Sequence, residues 1–303
     1  MMFGTRDEFP YLECDSCGTV QIINIPDLAR YYPADYYSFN NDSIEIEASI
    51  QRRIAARFIG KHLVTGKSLV GRRFAEMRPE LTRLLPSSLL VPHVRITFDT
   101  RILDFGCGGG ELLRTLRAFG FRSLVGADAF IDENKTFSGN VRIHKAGLAD
   151  LEPAFDLIML HHSFEHLPDP RSSLLQINRL LANDGTCLIR IPLVNYAWGK
   201  YGVNWVQLDP PRHLFLYTEQ SFRQLAKGMG FEVEKVVYDS TAFQFFASEQ
   251  YMMDIPMNDP RSFAGASETS IFTQQQIDDW DAEAARLNAE GRGDQACFYL
   301  KKQ

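Results

Sequence analysis

From Ile96 onward, short apolar runs alternate with segments whose apolar positions recur every three or four residues. The runs read as buried strands and the periodic segments as amphipathic helices, so the alternation predicts a mainly parallel sheet covered on both faces. Seven strands are expected, at Arg101–Phe105, Ser123–Asp128, Val141–Lys145, Phe155–Leu160, Thr186–Ile191, Phe231–Tyr238 and Ala296–Leu300. Helices are expected from Glu111 to Phe119, closing at Gly120, and from Pro170 to about Asn183-Asp184-Gly185, with Asp169 as N-cap. Two more helical patterns, around Phe243–Met253 and Gln274–Leu287, fall within a long connection before the last strand. Near the start of the chain, Asp42 and Glu45 form a capping pair ahead of Ile50, Ile54, Phe58 and Ile59. The expected fold class is α/β, a doubly wound sheet over 96–303 preceded by an N-terminal arm and helical extension over 1–95. Insertions at 192–217 and 239–294 are assigned to the substrate side.

The first strand ends in Asp104 and runs into Gly106-Cys107-Gly108-Gly109-Gly110 before its helix. Glycines there let the backbone approach a ligand closely. A dinucleotide fingerprint begun at Gly106 would need glycine or alanine at position 111, where Glu111 stands and would repel a pyrophosphate. The second strand also ends in an acid, Asp128, placed either to accept both hydroxyls of a ribose or to cap a helix.

The fourth strand runs straight into His161-His162-Ser163-Phe164-Glu165-His166-Leu167-Pro168. Three histidines and a carboxylate at a strand's carboxyl end can bind a metal, supply a general base and a substrate clamp, or satisfy loop backbone groups. After the fifth strand comes a polar and aromatic loop containing Trp198, Tyr201, Trp205 and Asp209-Pro-Pro-Arg212-His213. His213 is either the base that takes a hydroxyl proton or a loop anchor. Trp198, Tyr201 and Trp205 are expected to line an apolar pocket, and Glu249, Gln250 and Tyr251 face either substrate or solvent.

The Asp-x-Gly-x-Gly-x-Gly turn, the acid closing the second strand and the Glu165-His166 tract with its proline turn resemble the motifs of class I S-adenosylmethionine (SAM) dependent methyltransferases, in the correct order. The Cys14-x-x-Cys17 segment and the Pro-Arg-His loop are similar to a subgroup that modifies sugars of bacterial surface polysaccharides. The resemblance implies a Rossmann-like methyltransferase fold, SAM as cofactor and S-adenosylhomocysteine as product. It places Asp104, Gly106, Cys107, Gly108, Gly110, Asp128, Ala129, Gly147, Leu148 and His161 at the cofactor, and His213, His162 and Glu165 in catalysis, with no metal. The implied reaction is methyl transfer to a hydroxyl of a sugar or glycan precursor. A quinone or phenol methyltransferase, or a SAM-binding protein without transfer activity, are the alternatives.

Composition narrows the partners. The 303 residues are 45% hydrophobic, enough for a large core, and the net charge of −6 argues against general nucleic-acid binding. Residues 51–83 nevertheless hold nine Lys/Arg against two Asp/Glu, either a solvated basic face or a contact for an anionic surface. Gly66-Lys67-Ser68 is no phosphate loop, because Lys61 occupies the position of the required first glycine. The cysteines number five, and Cys14 and Cys17 make only half of a zinc ribbon, so zinc is not expected there. No signal-type or membrane-spanning apolar run is present, which with the odd cysteine count implies a reduced, cytoplasmic protein. The 239–294 insertion either covers the substrate pocket or makes a homodimer contact.

Overall fold

The computed structural model describes residues 5–32, 46, 49–264 and 269–303. Of the N-terminal aromatic run Tyr31, Tyr32, Tyr36, Tyr37 and Phe39, which the sequence offers either for stacking on a sugar or base or for packing the arm onto its domain, the last three lie outside the described residues, as do Asp42 and Glu45. The chain starts with a hairpin, β1 (Tyr11–Glu13) and β2 (Val20–Ile22), followed by α1 (Ile50–Thr65), α2 (Leu69–Met77) and α3 (Pro79–Thr82). Ser49 caps α1 by accepting from the Arg52 amide at 3.1 Å. The alternating region then supplies β3 (Arg101–Phe105), α4 (Glu111–Phe119), β4 (Ser123–Ala127), β5 (Lys135–Phe137), β6 (Val141–His144), β7 (Phe155–His161), α5 (Pro170–Leu180) and β8 (Leu181–Pro192). After these come α6 (Tyr196–Tyr201), β9 (Phe215–Leu216), α7 (Glu219–Gly228), β10 (Phe231–Tyr238), α8 (Phe243–Met252), α9 (Gln274–Ala289) and β11 (Gln295–Lys302).

The main sheet has eight strands in the order β10-β11-β8-β7-β3-β4-β6-β5. The five from β8 to β6 run parallel, and both edges are antiparallel. All seven expected strands are present. The eighth, β5, is an edge strand of three residues, Lys-Thr-Phe, too short to show a period. Helix α5 stops at Leu180 rather than near Gly185, because Leu181 already pairs with Phe155 of β7.

Successive residues of the central strands serve opposite faces. Ile102, Leu157 and Met159 pack with Leu113, Leu116 and Phe119 of α4 on one side. Leu103, Ile158 and Leu160 pack with Leu174 and Ile177 of α5 and Phe222 of α7 on the other. Burying side chains this size stabilises by roughly 1.5–3 kcal/mol each. The sheet is therefore a rigid platform, and the loops at its carboxyl edge are held where β3, β4 and β7 end.

A second sheet, β1-β2-β9, ties the N-terminal hairpin to the loop after α6. Val20 pairs with Leu216 and Gln21 with Phe215, while the Ile22 amide donates to the Leu214 carbonyl at 3.0 Å. Helices α1 and α2 expose Ile50, Ile54, Leu69, Val70 and Met77 among their arginines. Among the described residues no helix is long and apolar enough to cross a membrane. All five cysteines are free thiols.

Candidate active site

The glycine turn is held by the two strands it joins. Gly106 N–H donates to the Ala127 carbonyl at 2.8 Å, and Gly108 N–H donates to Asp128 Oδ2 at 2.9 Å. Gly106 and Gly110 have φ of +76° and +80°, values other residues rarely adopt. A Cβ on Gly106 would lie 2.3 Å from Ser163 Cβ, and one on Gly110 would lie 2.0 Å from Ile143 Cδ1. The turn therefore packs backbone to side chain against both the β7 loop and β6.

Asp128 has a double duty. Its Oδ2 fixes the turn and its Oδ1 accepts from the Phe130 amide at 2.8 Å, which is the capping function, yet a carboxylate still has lone pairs for a diol. Asp104 lies buried beneath the turn, and its pKa is raised to about 7, first by burial and then by the negative charge of Asp128. Two acids so close, one of them buried, suit a cationic ligand bearing an amine. Ala129 is exposed at the rim, as is the Phe130 ring, which stacks on Tyr32 at 4.9 Å between centroids. The Cys107 sulfur sits over Gly126, where a Cβ would come within 2.6 Å.

Gly147 begins a short turn in which its amide donates to Asp150 Oδ2 at 2.9 Å. The Leu148 side chain is buried in the core, and its carbonyl accepts from Arg179 at 3.1 Å. The Leu148 side chain therefore faces the core. His161 ends β7 with a buried Nε2 that has no hydrogen-bond partner, and burial lowers its pKa to about 3, helped by the charge of Arg190. The ring is neutral.

The pH dependence of Asp104 has a definite sign. Its folded pKa lies above the unfolded value of 3.8, so the native state retains a proton that the unfolded chain has released. The contribution is unchanged below about pH 4, and stability falls as pH rises from there through about 7. Asp104→Asn is expected to raise the melting temperature of the ligand-free protein above pH 7, with little change near pH 4. Calorimetric melting across that range checks it.

The β7 loop and the loop carrying His213 meet next to this turn. Glu165 is fully buried, and its backbone carbonyl accepts from the Leu214 amide at 2.8 Å. His162, at φ +51°, accepts from Arg190 Nη1 through Nε2 at 2.6 Å, so its Nδ1 carries the proton and lies 3.4 Å from Glu165 Oε1. His213 Nδ1 donates to the Gln207 carbonyl at 2.6 Å, leaving Nε2 as an acceptor 3.8 Å from both Glu165 Oε1 and Asp209 Oδ2. Burial lowers the pKa of His213 to about 4, against the opposing charge of Asp209, so the ring is neutral. For Glu165 burial acts upward, while the His162 contact and, where they are protonated, the rings of His166, His213 and His162 act downward and prevail. The carboxylate is ionised.

His162, Glu165 and His213 therefore come together, and His166, Asp209 and Tyr32 join them. The Tyr32 hydroxyl is 3.2 Å from His166 Nδ1, and Asp209 pairs with Arg212 at 2.5 Å. Asp209 was legible as the acid four residues before His213. Tyr32 was legible only as a member of the N-terminal aromatic run, and its place beside His166, like that of Asp294, is set by tertiary pairing. Asp294 Oδ2 accepts from the Trp205 indole N–H at 2.9 Å, and burial raises its pKa to about 6.

The expected aromatic pocket is absent among the described residues. Trp205 and Tyr201 are buried in a side core with Phe245 and Leu287, because α8 and α9 lie over them, and Trp198 donates to Glu13 at 3.2 Å. Glu249 accepts from the Tyr201 hydroxyl at 2.8 Å, Gln250 is buried against Ser262, and Tyr251 is buried too. These three are packing residues, neither open surface nor an open substrate wall. Cys14 and Cys17 flank a tight turn in which Cys17 Sγ donates to Thr19 Oγ1 at 3.3 Å.

The chain is 26% identical over 166 residues to a ubiquinone biosynthesis O-methyltransferase of Ruegeria sp. (strain TM1040), a match covering 46% of this chain and 66%, just under two thirds, of that protein. Among solved structures it is similar to a SAM-dependent methyltransferase, possibly a histamine N-methyltransferase, of Thermotoga maritima, with 16% identity and a TM-score of 0.44 over 80% of this chain and 100% of that one. It is also similar to the mitomycin 7-O-methyltransferase, with 13% identity and a TM-score of 0.43 over 80% of this chain and 60% of that one. A family model described as a methyltransferase domain matches residues 69–236, more than half of the chain and the whole of the glycine turn and both loops, so this chain belongs to the methyltransferase-domain family.

Proposed function

We propose that this chain transfers the methyl group of SAM to a hydroxyl of a polar, sugar-like acceptor. The observation that carries the reading is the pairing of the glycine turn with two acids: Gly108 N–H on Asp128, and Asp104 buried beneath. When bound, SAM supplies a methyl group on a sulfonium, whose C–S electron pair returns to sulfur as the methyl leaves. Asp128 would accept from the ribose diol, the backbone of 106–110 would lie against the ligand, and Asp104 would offset its positive charge. On the acceptor side the His213–Glu165 pair receives the hydroxyl, whose proton passes to water as its oxygen forms the new O–C bond. His162 and Arg190 keep Glu165 oriented. Positioning in line with the methyl supplies most of the acceleration.

A sugar-like acceptor is favoured over a planar quinone or phenol by one feature. The aromatic rings Trp205 and Tyr201 are withdrawn into a core, while charged and imidazole groups face the meeting point of the loops.

Calorimetric titration of the wild type with SAM, S-adenosylhomocysteine and NAD tests the reading. Both adenosyl ligands are expected to bind and NAD to give no heat, with Asp128→Ala weakening SAM about 10- to 100-fold through loss of charged hydrogen bonds. Methyl transfer from labelled SAM to nucleotide sugars, with phenols alongside, tests the acceptor. A folded wild type that ignores both adenosyl ligands overturns the reading.

A further inference from the structure

Glu165 is an anomaly. It is fully excluded from solvent, and among the described residues neither oxygen receives a well-formed hydrogen bond. A buried carboxylate ordinarily gathers donors or a cation. Around this one, His213 turns Nε2 inward and His166 brings a ring nitrogen within 4.8 Å. His213 gives its Nδ1 proton to the Gln207 carbonyl, and His166 gives its own to the Arg212 carbonyl at 2.8 Å. A carbonyl only accepts, so Nδ1 of each ring carries a proton, and in the neutral His213 ring Nε2 carries the lone pair. A lone pair facing a carboxylate at 3.8 Å, as His213 Nε2 does, is repulsive unless positive charge lies between them.

We propose that Glu165, His166 and His213 bind a divalent transition-metal ion whose open positions hold two adjacent oxygens of the acceptor. One ligand atom from each of the three residues lies within 4.8 Å of the others. Ligands about 2.1 Å from one ion stand about 3–3.5 Å apart, so closure takes a small rotation of the side chains. A ring N–H on a backbone carbonyl is the outer-shell bond that orients metal-binding histidines, and both rings have it. His162 reaches Oε1 from the other side at 3.4 Å and fixes the carboxylate. Asp209, also 3.8 Å from His213 Nε2, is neutralised by Arg212 and stays outside the ligand set.

Two imidazoles and a carboxylate suit manganese, iron, cobalt or zinc better than magnesium or calcium. Three protein ligands leave positions for oxygens, and a vicinal diol fills two of them. A hydroxyl on such an ion is more acidic. Its proton then departs to water, the oxygen takes the methyl, and His213 stays a ligand, which answers its weakness as a base. The acceptor half rests on the methyl-transfer reading. Ion binding does not.

The test is titration of chelator-stripped full-length protein with Co²⁺, followed by visible absorption, beside calorimetric SAM binding on the same sample. The expected result is one Co²⁺ per chain, displaced by Zn²⁺, with affinity falling at least about tenfold in Glu165→Gln, His166→Gln and His213→Gln. The double variant Cys14→Ser/Cys17→Ser should bind unchanged. Retention of the wild-type SAM affinity and melting curve shows that a variant has folded. Failure of the wild type to bind Co²⁺ overturns the proposal, as does a sulfur-to-cobalt charge-transfer band that vanishes with the two cysteines. SAM binding without Co²⁺ defeats the metal alone, and Co²⁺ binding without SAM defeats the methyl-transfer reading alone.

Discussion

Glu165→Gln is expected to lower kcat by roughly 10²- to 10⁴-fold while leaving SAM affinity within about twofold. The amide has the same shape as the carboxylate, so the fully buried position keeps its packing. Its chemistry is reversed on one side. A carboxamide N–H finds His213 Nε2 within reach of the 3.8 Å contact and ties up the lone pair proposed to hold the ion and, through it, the acceptor. The negative charge facing His162 is lost in the same substitution. Since Glu165 lies on the loop after β7 and the adenosyl ligand is assigned to the turns after β3 and β4, binding and turnover should separate. Steady-state kinetics with an acceptor found by the labelled-donor screen checks this. A fall in kcat below about fivefold would put the acceptor elsewhere.

Gly106→Ala is expected to weaken SAM at least about a hundredfold. The left-handed backbone at φ +76° costs an alanine roughly 1–2 kcal/mol. The larger effect is steric. The new Cβ would stand 2.3 Å from Ser163 Cβ, and neither atom can swing aside as the end of a long side chain can. Relief requires moving the turn away from the Ala127 carbonyl or moving Ser163 off the Phe105 carbonyl, which its hydroxyl holds at 2.8 Å. Either movement displaces the ligand's bed. Gly199→Ala in α6 is the control, because a Cβ there meets nothing within 4 Å. Unaltered SAM affinity in Gly106→Ala would remove the turn from the binding site.

The legibility of this molecule follows the range of the interactions that fix each part. The parallel strands are short apolar runs closed by acids or glycines, and a local pattern reveals them. Strand β5 is three residues long and owes its existence to pairing with β6, so no local pattern exists to read. Leu181 looks like helix until its pairing with Phe155 is known. In the site, His162, Glu165 and His213 are conspicuous by type and by their place after strand ends. Their protonation is not. The tautomers of His162 and His213 follow from Arg190 on β8 and from the Gln207 carbonyl, contacts made only by folding. Trp205 and Tyr201 misled because an aromatic loop offers the same letters whether it lines a cavity or fills one. The 239–294 connection decides, and its helices fill it.

The small sheet that joins β2 to β9 has a consequence for synthesis. Val20 pairs with Leu216, and the Tyr11 hydroxyl donates to the His213 carbonyl at 2.8 Å. The hairpin leaves the ribosome long before its partner strand exists. At roughly 5–20 residues per second, about 10–40 s of elongation separate the two. For that interval Val20 and Ile22, buried in the finished protein, have nothing to cover them. The parallel core can assemble meanwhile from neighbouring units, but the small sheet closes only when an earlier and a much later part of the nascent chain meet. Its completion is therefore timed by translation.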